Sequence, residues 1–359
     1  MSRFLSEKYQ TLEAYVPGEQ PQDKTYIKLN TNESPYPPPE GVISAITAQE
    51  IADLRLYPDP DCRLLRSKLA GRYGLNPENI YVANGSDDIL NFAFMAFAGP
   101  GGKAVFPEIT YGFYPVFARL NSVETVEVPL EDDFSIDPSD YFDAGGMVVI
   151  ANPNAPTGIA LGLDDISRIL DANKDNVVLV DEAYVDFGAQ SAISLLDRYE
   201  NLLVVRTFSK SRSMAGARLG FAMACPALID DLNRIKYSTN PYDINRLTQI
   251  AGAAAIDSDQ YYEGRCKAII STRERIAKEL KIRGFEVIPS MTNFLFIRTG
   301  ALSGQELYEK LKDRGILIRH FSKEKIKDYN RVTIGTDDEM DIFLKRIDEI
   351  LKEAQNEDR

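Results

Sequence analysis

Short apolar runs alternate with amphipathic stretches through much of the chain. The apolar runs predict strands at residues 104–106, 123–128, 146–150, 177–180 and 202–205. Helical periodicity is found between them, at 111–120 and 164–170. Apolar strands separated by helices are typical of a parallel sheet that is covered on both faces. The pattern therefore predicts an α/β fold with a mostly parallel central sheet flanked by helices.

The pattern changes on either side of this region. Residues 1–40 lack periodicity and are rich in turn formers, which indicates an extended arm lying over another surface. Helices are predicted at 41–51 and 62–73, and Gly74 ends the second. Beyond about residue 241, the pattern predicts helices at 244–256, 261–283 and 337–354 and strands at 286–288, 293–298, 315–319 and 331–334. We predict three parts: an arm (1–40), a large domain (41–243) and a smaller α/β domain (244–359).

Composition narrows the range of partners. The chain has 359 residues and a net charge of −13, which argues against a nucleic-acid partner because phosphate backbones attract basic surfaces. The longest mostly apolar run, 89–99, is far shorter than the ~20 residues of a membrane span. The first ten residues lack the apolar core of a secretory signal. We expect a cytoplasmic protein with no membrane partner.

The histidine and cysteine content limits the possible chemistry. The three cysteines are far apart, and His320 is the single histidine. Neither a zinc site nor a disulfide framework is supported, so we expect no metal. Proton transfer must then fall mainly to lysine, tyrosine or carboxylates.

Polar clusters follow three of the predicted strands. They are residues 152–158 (NPNAPTG), 181–184 (DEAY) and 209–210 (SK). Ligands of open α/β sheets bind beyond the carboxyl ends of the strands. The three clusters therefore mark a candidate binding crevice.

The stretch 207–220, TFSKSRSMAGARLG, contains the most informative lysine. Lys210 follows a predicted strand, and the small residues after it predict the start of a helix. A helix N-terminus binds anions, and Ser209 and Arg218 would add a hydroxyl and a bidentate cation. A lysine beside an anion site suits a Schiff base with a phosphorylated aldehyde such as pyridoxal phosphate. On this stretch alone, a solvated lysine in a surface loop is an equal alternative.

A second turn of this kind occurs at Gly85–Ser86. A predicted strand passes through these residues into the apolar helix 89–98, a geometry that binds phosphate through backbone N–H groups. Capping of the helix by Ser86 or Asp87 explains the same residues equally well.

Taken together, the motifs NPNAPTG, DEAY, TFSK and RLG resemble those of the fold-type I pyridoxal-phosphate aminotransferases. The segments LNTNESPYPPP, LYPDP, GSDD, PYDIN and RVTIGT narrow the resemblance to the histidinol-phosphate aminotransferase branch. The match runs from about residue 15 to 335, and the ordered set is far more specific than any single motif.

The resemblance implies a role for each matching residue. Lys210 would carry the cofactor as a Schiff base, Asp181 would pair with the pyridine nitrogen, Tyr184 would approach the ring oxygen, and Tyr111 would stack on the ring. The implied phosphate site, with the rest of its motif, consists of Gly85, Ser86, Asp87, Ser209 and Arg218. Tyr57 would reach the same phosphate from the neighbouring subunit, so the resemblance also implies a homodimer with shared active sites.

One position departs from the family pattern. Many relatives have asparagine immediately before Pro-Thr-Gly, where its amide contacts the ring oxygen, but this chain has Ala155. Either Asn154 substitutes for that amide or the contact is lost. Turn formation is the alternative role for Asn154.

The resemblance also suggests a substrate site. Arg331 matches the family's carboxylate-binding arginine, and Arg319, Tyr15 and Tyr242 match positions that contact the anionic end of the substrate. His320, beside Arg319, has no implied role.

The implied activity is a ping-pong transamination between L-histidinol phosphate and a 2-oxo acid such as 2-oxoglutarate. The amine substrate would displace Lys210 from the cofactor, and the freed lysine would shuttle a proton. Three alternatives stay open: an aromatic-amino-acid aminotransferase, a threonine-phosphate decarboxylase of the same branch, and a non-catalytic cofactor-binding regulator. Regulators on this fold usually add a basic DNA-binding module, and the chain has no such N-terminal segment.

Overall fold

The computed structural model describes residues 2–10, 12 and 15–357. The strands are β1 (Ile27–Lys28), β2 (Ile80–Ala83), β3 (Lys103–Pro107), β4 (Glu124–Val128), β5 (Met147–Ala151), β6 (Val178–Asp181), β7 (Leu202–Thr207), β8 (Gly220–Ala224), β9 (Phe285–Val287), β10 (Phe294–Thr299), β11 (Ile316–Leu317), β12 (Arg319–His320) and β13 (Asn330–Thr333). The α-helices are α1 (Glu40–Ala45), α2 (Ala48–Ala52), α3 (Arg63–Tyr73), α4 (Ser86–Ala93), α5 (Tyr114–Asn121), α6 (Leu163–Ala172), α7 (Pro226–Thr239), α8 (Arg246–Ile256), α9 (Asp259–Ile282), α10 (Gly304–Asp313) and α11 (Asp337–Glu357).

The large sheet has the strand order β2-β8-β7-β6-β5-β3-β4. Strand β8 is antiparallel to both of its neighbours, whereas β7, β6, β5, β3 and β4 form parallel pairs. Every residue of β5, β6 and β7 is buried, because helices cover both faces. The predicted fold, a mostly parallel sheet flanked by helices, is confirmed.

Each face of this sheet has its own apolar core. On one face, α3, α6 and α8 contribute Leu69, Ile169 and Ala251. On the other face, α4, α5 and α7 contribute residues such as Phe92 and Leu232. The helices thereby fix the strand ends from which the candidate site residues project.

Two elements of the large domain differ from the sequence prediction. No α-helix begins directly after Lys210. Residues Ala215–Ala217 form a 3₁₀ turn, and the chain then enters β8. Strand β8 and helix α7 were not predicted, because Gly220, Ala222 and Ala224 give the strand little apolar contrast. Glycine is required at Gly220, since a Cβ there would overlap the backbone of Gly85 and Ser86.

The predicted helix 41–51 is also divided. Helix α1 ends at Ala45, and the side chain of Thr47 accepts a hydrogen bond from the backbone of Glu50 to cap α2. The predicted helix 62–73 is observed as α3, with Gly74 in the left-handed conformation at its end.

The C-terminal part contains a smaller antiparallel sheet of order β12-β13-β10-β9, packed against α9, α10 and α11. The arm lies along this part: β1 pairs in parallel with β11, and the backbone of Leu29 bonds to Leu317 and Thr333. Helix α8 shares the core of the large sheet, although the sequence division assigns it to the smaller domain. The predicted boundaries at 40/41 and 243/244 stay predictions.

No helix of the part of the chain that the structure describes is both long and apolar enough to span a membrane.

Candidate active site

Two adjoining clefts lie at the carboxyl end of the parallel strands. Their volumes are about 410 and 620 Å³. They share the lining residues Thr31, Tyr111, Ala155, Tyr184, Lys210 and Arg218. The clefts are therefore two halves of one site, with Lys210 between them.

Lys210 follows β7 and lies within this site. Its Nζ donates a hydrogen bond to the carbonyl of Thr31, at 3.2 Å, and lies 5.9 Å from the ring centre of Tyr184. Burial, and secondly the positive charge of Arg331, lower the pKa of Lys210 to about 8. At pH 7 about a tenth of this amine is therefore neutral and nucleophilic, far more than at the ordinary lysine pKa.

Asp181 is the last residue of β6 and is 5% exposed. Its carboxylate accepts hydrogen bonds from the Tyr114 hydroxyl, at 2.9 Å, and from the Ala183 backbone N–H, at 3.2 Å. Burial raises the pKa of Asp181 to about 6. A buried carboxylate held by neutral donors favours a cationic partner, and a protonated pyridine nitrogen meets that requirement.

An anion cradle lies at the N-terminus of α4. Gly85 precedes the helix with a φ of +88°, and a Cβ there would lie 2.7 Å from Nη2 of Arg218. The free N–H groups of the first helical turn, the Arg218 guanidinium and the buried Ser209 line one end of the smaller cleft. The anion-binding helix end thus belongs to α4 and not to the segment after Lys210.

Asp87 joins two of the predicted cofactor residues. It accepts a hydrogen bond from the Tyr111 hydroxyl and pairs with Arg218, each at 2.8 Å. Burial, followed by the charge of Asp87, raises the pKa of Tyr111, so Tyr111 stays a neutral phenol. Asp87 therefore fixes both a ring at the cleft wall and the arginine of the cradle.

Tyr184 faces both clefts. Its hydroxyl accepts a hydrogen bond from Nδ2 of Asn32 at 2.8 Å, and its ring packs edge-on against Phe294. Burial raises the pKa of Tyr184 as well.

The larger cleft contains the predicted substrate residues Arg331, Arg319 and Tyr15. Arg331 donates to the carbonyl of Asn30 at 3.0 Å, and its buried Nε has no hydrogen-bond partner among the described residues. Tyr15 stacks on Phe113 with ring centres 4.1 Å apart. Two guanidinium groups in one cleft suit an anionic ligand.

Four predicted residues, Gly85, Asn154, Tyr57 and Tyr242, do not line either cleft. The amide of Asn154 donates to the carbonyl of Ile109 and to Thr157, and it accepts from Thr110. Because these bonds use the Asn154 amide to hold the loop, the geometry does not support Asn154 as a substitute for the amide missing at Ala155. Tyr57 and Tyr242 stack on each other at the surface, with ring centres 4.5 Å apart, and Tyr57 is 78% exposed.

Sequence reasoning missed the contribution of the arm and of Tyr114. Thr31 and Asn32 contact Lys210 and Tyr184, and Tyr114 contacts Asp181. The arm motif LNTNESP was recognised, but its contacts join residues more than 150 positions apart. The local sequence feature that could have pointed to Tyr114 is its position three residues after Tyr111.

The fold and the site together define the class of protein. A profile of the class I and II aminotransferases matches residues 24–347, so the chain belongs to this family. Family membership confirms the expected aminotransferase activity and its dependence on pyridoxal phosphate.

The relatives are more specific. The chain is 52% identical to histidinol-phosphate aminotransferase of Brachyspira hyodysenteriae, over 98% of this chain and all of that protein. It is 48% identical to the enzyme of the same name from Clostridium acetobutylicum, over 98% of this chain and all of that protein. Among solved structures, the histidinol-phosphate aminotransferase of Sinorhizobium meliloti in complex with pyridoxal-5'-phosphate is similar, with a TM-score of 0.85 and 26% identity over 92% of each chain.

The lowered pKa of Lys210 leads to a test of the site. The cofactor-free protein should react with pyridoxal phosphate faster as the pH rises, with a midpoint near 8, because the neutral amine is the nucleophile. Replacement of Arg331 by methionine should move this midpoint upward, since a nearby cation disfavours the charged amine. Stopped-flow absorbance measures both rates.

Arg314→Met is the matched control, because Arg314 pairs with Glu353 outside the two clefts. It should leave the midpoint in place. A wild-type midpoint near the ordinary lysine value of about 10.4 would contradict the proposed environment of Lys210.

Proposed function

We propose that the protein transfers the amino group between L-histidinol phosphate and 2-oxoglutarate in histidine biosynthesis. The observation that carries the proposal is the position of Lys210 between a cradle for one anion and a cleft with two arginines for another. Both substrates carry an anionic group. The relatives named above are histidinol-phosphate aminotransferases, and this chain matches each of them over its whole length.

We further propose how the chain binds its cofactor. The phosphate would lie in the cradle at α4, held by Gly85, Ser86, Ser209 and Arg218. Asp87 would hold Arg218 and Tyr111 in place through its bonds to both. When bound, pyridoxal phosphate supplies an aldehyde that condenses with amines and a ring that withdraws electrons.

The chain's own residues then divide the remaining work. Asp181, as a carboxylate, keeps the ring nitrogen protonated by charge pairing. Tyr184 would hydrogen-bond to the ring oxygen, and Tyr111 would stack on the ring. The Lys210 amine would hold the cofactor and, once displaced by the amine substrate, would accept and return the proton of the substrate carbon as general base and acid. Its pKa of about 8 allows both directions near neutral pH.

Arg331 and Arg319 would bind the anionic group of each substrate in turn. A guanidinium accepts a phosphate ester and a carboxylate with the same two-pronged geometry. The same pair of arginines would therefore serve the phosphate of histidinol phosphate and a carboxylate of 2-oxoglutarate.

A half-reaction tests the substrate assignment. The cofactor-loaded protein should convert to its amine form with histidinol phosphate at least tenfold faster than with phenylalanine, because two arginines pair better with a phosphate dianion than with the single carboxylate of phenylalanine. The absorbance of the cofactor reports the rate, and 2-oxoglutarate should restore the aldehyde form.

Threonine phosphate is the third amine in the comparison, with carbon dioxide release followed alongside. Faster conversion with phenylalanine would instead identify an aromatic aminotransferase. Carbon dioxide release from threonine phosphate would identify a decarboxylase. Absence of any spectral change with all three amines would contradict the site itself.

We also propose that the active protein is a homodimer in which Tyr57 completes the neighbouring site. The segment from α1 to the start of α3 exposes several large apolar side chains, which is typical of an interaction surface. They are Ile43, Ile51, Leu54, Leu56, Tyr57 and Leu64. Tyr57 is itself directed away from the clefts of its own chain and stacks on Tyr242. The cytoplasmic location expected from the sequence stays a prediction.

Subunit complementation tests this sharing. Lys210→Ala and Tyr57→Ala homodimers should each be impaired, the first severely. After mixing and subunit exchange, each hybrid dimer contains one site with both natural residues, so activity should recover to about a quarter of the wild-type value. Steady-state turnover measures the recovery.

The matched control mixes Lys210→Ala with Asp181→Ala, two changes that fall in the same site of one chain. In a hybrid of these variants one site lacks Lys210 and the other lacks Asp181, so activity should not recover. Absence of recovery in the Tyr57 mixture, as in this control, would contradict the sharing of Tyr57.

A further inference from the structure

Three consecutive residues of the arm each hold one functional side chain. The carbonyl of Asn30 accepts a hydrogen bond from Arg331 at 3.0 Å. The carbonyl of Thr31 accepts one from Lys210 at 3.2 Å, and the side chain of Asn32 donates one to Tyr184 at 2.8 Å. The arm is therefore a structural part of the site and not only a cover.

Asn32 is the most constrained of the three. It is 1% exposed and adopts a left-handed φ of +56°, which asparagine tolerates better than most residues. Its backbone N–H donates to Oγ1 of Thr333 at 3.0 Å, and its carbonyl accepts from Nδ2 of Asn293 at 2.9 Å. These bonds fix the residue from both sides.

The bonds also fix which way the side-chain amide points. Oγ1 of Thr333 accepts the Asn32 backbone N–H, so the threonine proton is free to donate to Oδ1 of Asn32, at 3.0 Å. The oxygen of the amide therefore faces Thr333, and its NH₂ group faces Tyr184.

An NH₂ group can only donate. The Tyr184 oxygen must accept from it, and the proton of the Tyr184 hydroxyl is left to point elsewhere. Tyr184 lines both clefts, so the proton is directed into the site. We propose that Asn32 is a positioning residue that makes Tyr184 a hydrogen-bond donor toward the cofactor ring.

This inference rests on the proposed function, because it concerns the contact between Tyr184 and the ring oxygen. A donor at that oxygen withdraws negative charge from it. The oxygen then stabilises the protonated lysine–cofactor linkage less, and the pKa of that linkage falls. The contact matters more in this chain because Ala155 provides no side-chain amide at the cleft wall.

The test reverses the polarity of the contact with almost no change of shape. In the Asn32→Asp variant, the carboxylate accepts the Tyr184 proton, and the donor toward the ring is lost. The absorbance of the lysine-bound cofactor should then titrate at a pH about one unit higher than in the wild type, the size of one ordinary hydrogen bond. A spectrophotometric pH titration without substrate measures this.

Two controls separate polarity from added charge. Asn30→Asp makes the same change two residues away, where the amide donates to the carbonyl of Glu19 and contacts none of the three functional side chains. It measures the shift caused by the negative charge alone. In a Tyr184→Phe background, the Asn32→Asp shift should fall to that same value, because the hydroxyl through which Asn32 acts is gone.

A neutral variant tests the same contact without burying a charge that could prevent folding. Asn32→Gly tolerates the left-handed backbone and removes the amide without adding charge, and it should shift the titration upward by less than Asn32→Asp. Thermal unfolding of each variant checks that it is folded.

The outcomes separate the role of Asn32 from the proposed function on which that role rests. Equal shifts for Asn32→Asp and Asn30→Asp, or an Asn32→Asp shift that persists in full without the Tyr184 hydroxyl, would overturn the role of Asn32. A wild-type protein that shows no titrating cofactor absorbance would overturn the proposed cofactor site instead.

Discussion

The site depends on two side chains of opposite charge, Lys210 and Asp181, that lie buried in one cleft. Burial disfavours both charges: the pKa of Lys210 falls to about 8 and that of Asp181 rises to about 6. For Asp181, a folded-state pKa of about 6 means that the protein loses stability as the pH rises from about 4 to about 6, by about 3 kcal/mol in full. A cationic ring nitrogen would offset this cost, so the same desolvation favours binding of the cofactor.

The sheet makes this arrangement possible. Strands β5, β6 and β7 are parallel, so the residues that follow them meet at one edge. The antiparallel strand β8 then brings Gly220 against the start of α4, and the cradle of backbone N–H groups comes to lie beside Lys210. The smaller domain adds Arg331 from β13, and the arm ties the two parts together through Thr31 and Asn32.

Much of this follows from local sequence. The apolar runs predicted the strands of the large sheet because buried parallel strands are apolar on both faces, and the polar motifs at their ends marked the cleft. The prediction was wrong for the segment after Lys210, where the side chains of Ser211, Arg212 and Ser213 bond to Asp186, Asp259 and Ser34 and no α-helix forms. It also gave Asn154 a role that its bonds to Ile109 and Thr157 do not support. The roles of Thr31, Asn32 and Tyr114 depend on contacts between distant segments, and no periodicity reports such contacts.

The most direct test of the central claim is to trap the cofactor on the protein. Borohydride converts a lysine–aldehyde linkage into a stable secondary amine, and peptide mass spectrometry then locates it. Incubation with pyridoxal phosphate followed by reduction should label one peptide, at Lys210, and excess inorganic phosphate should slow the labelling by competing for the cradle at α4. Labelling spread over surface lysines, with Lys210 unmodified, would contradict the account.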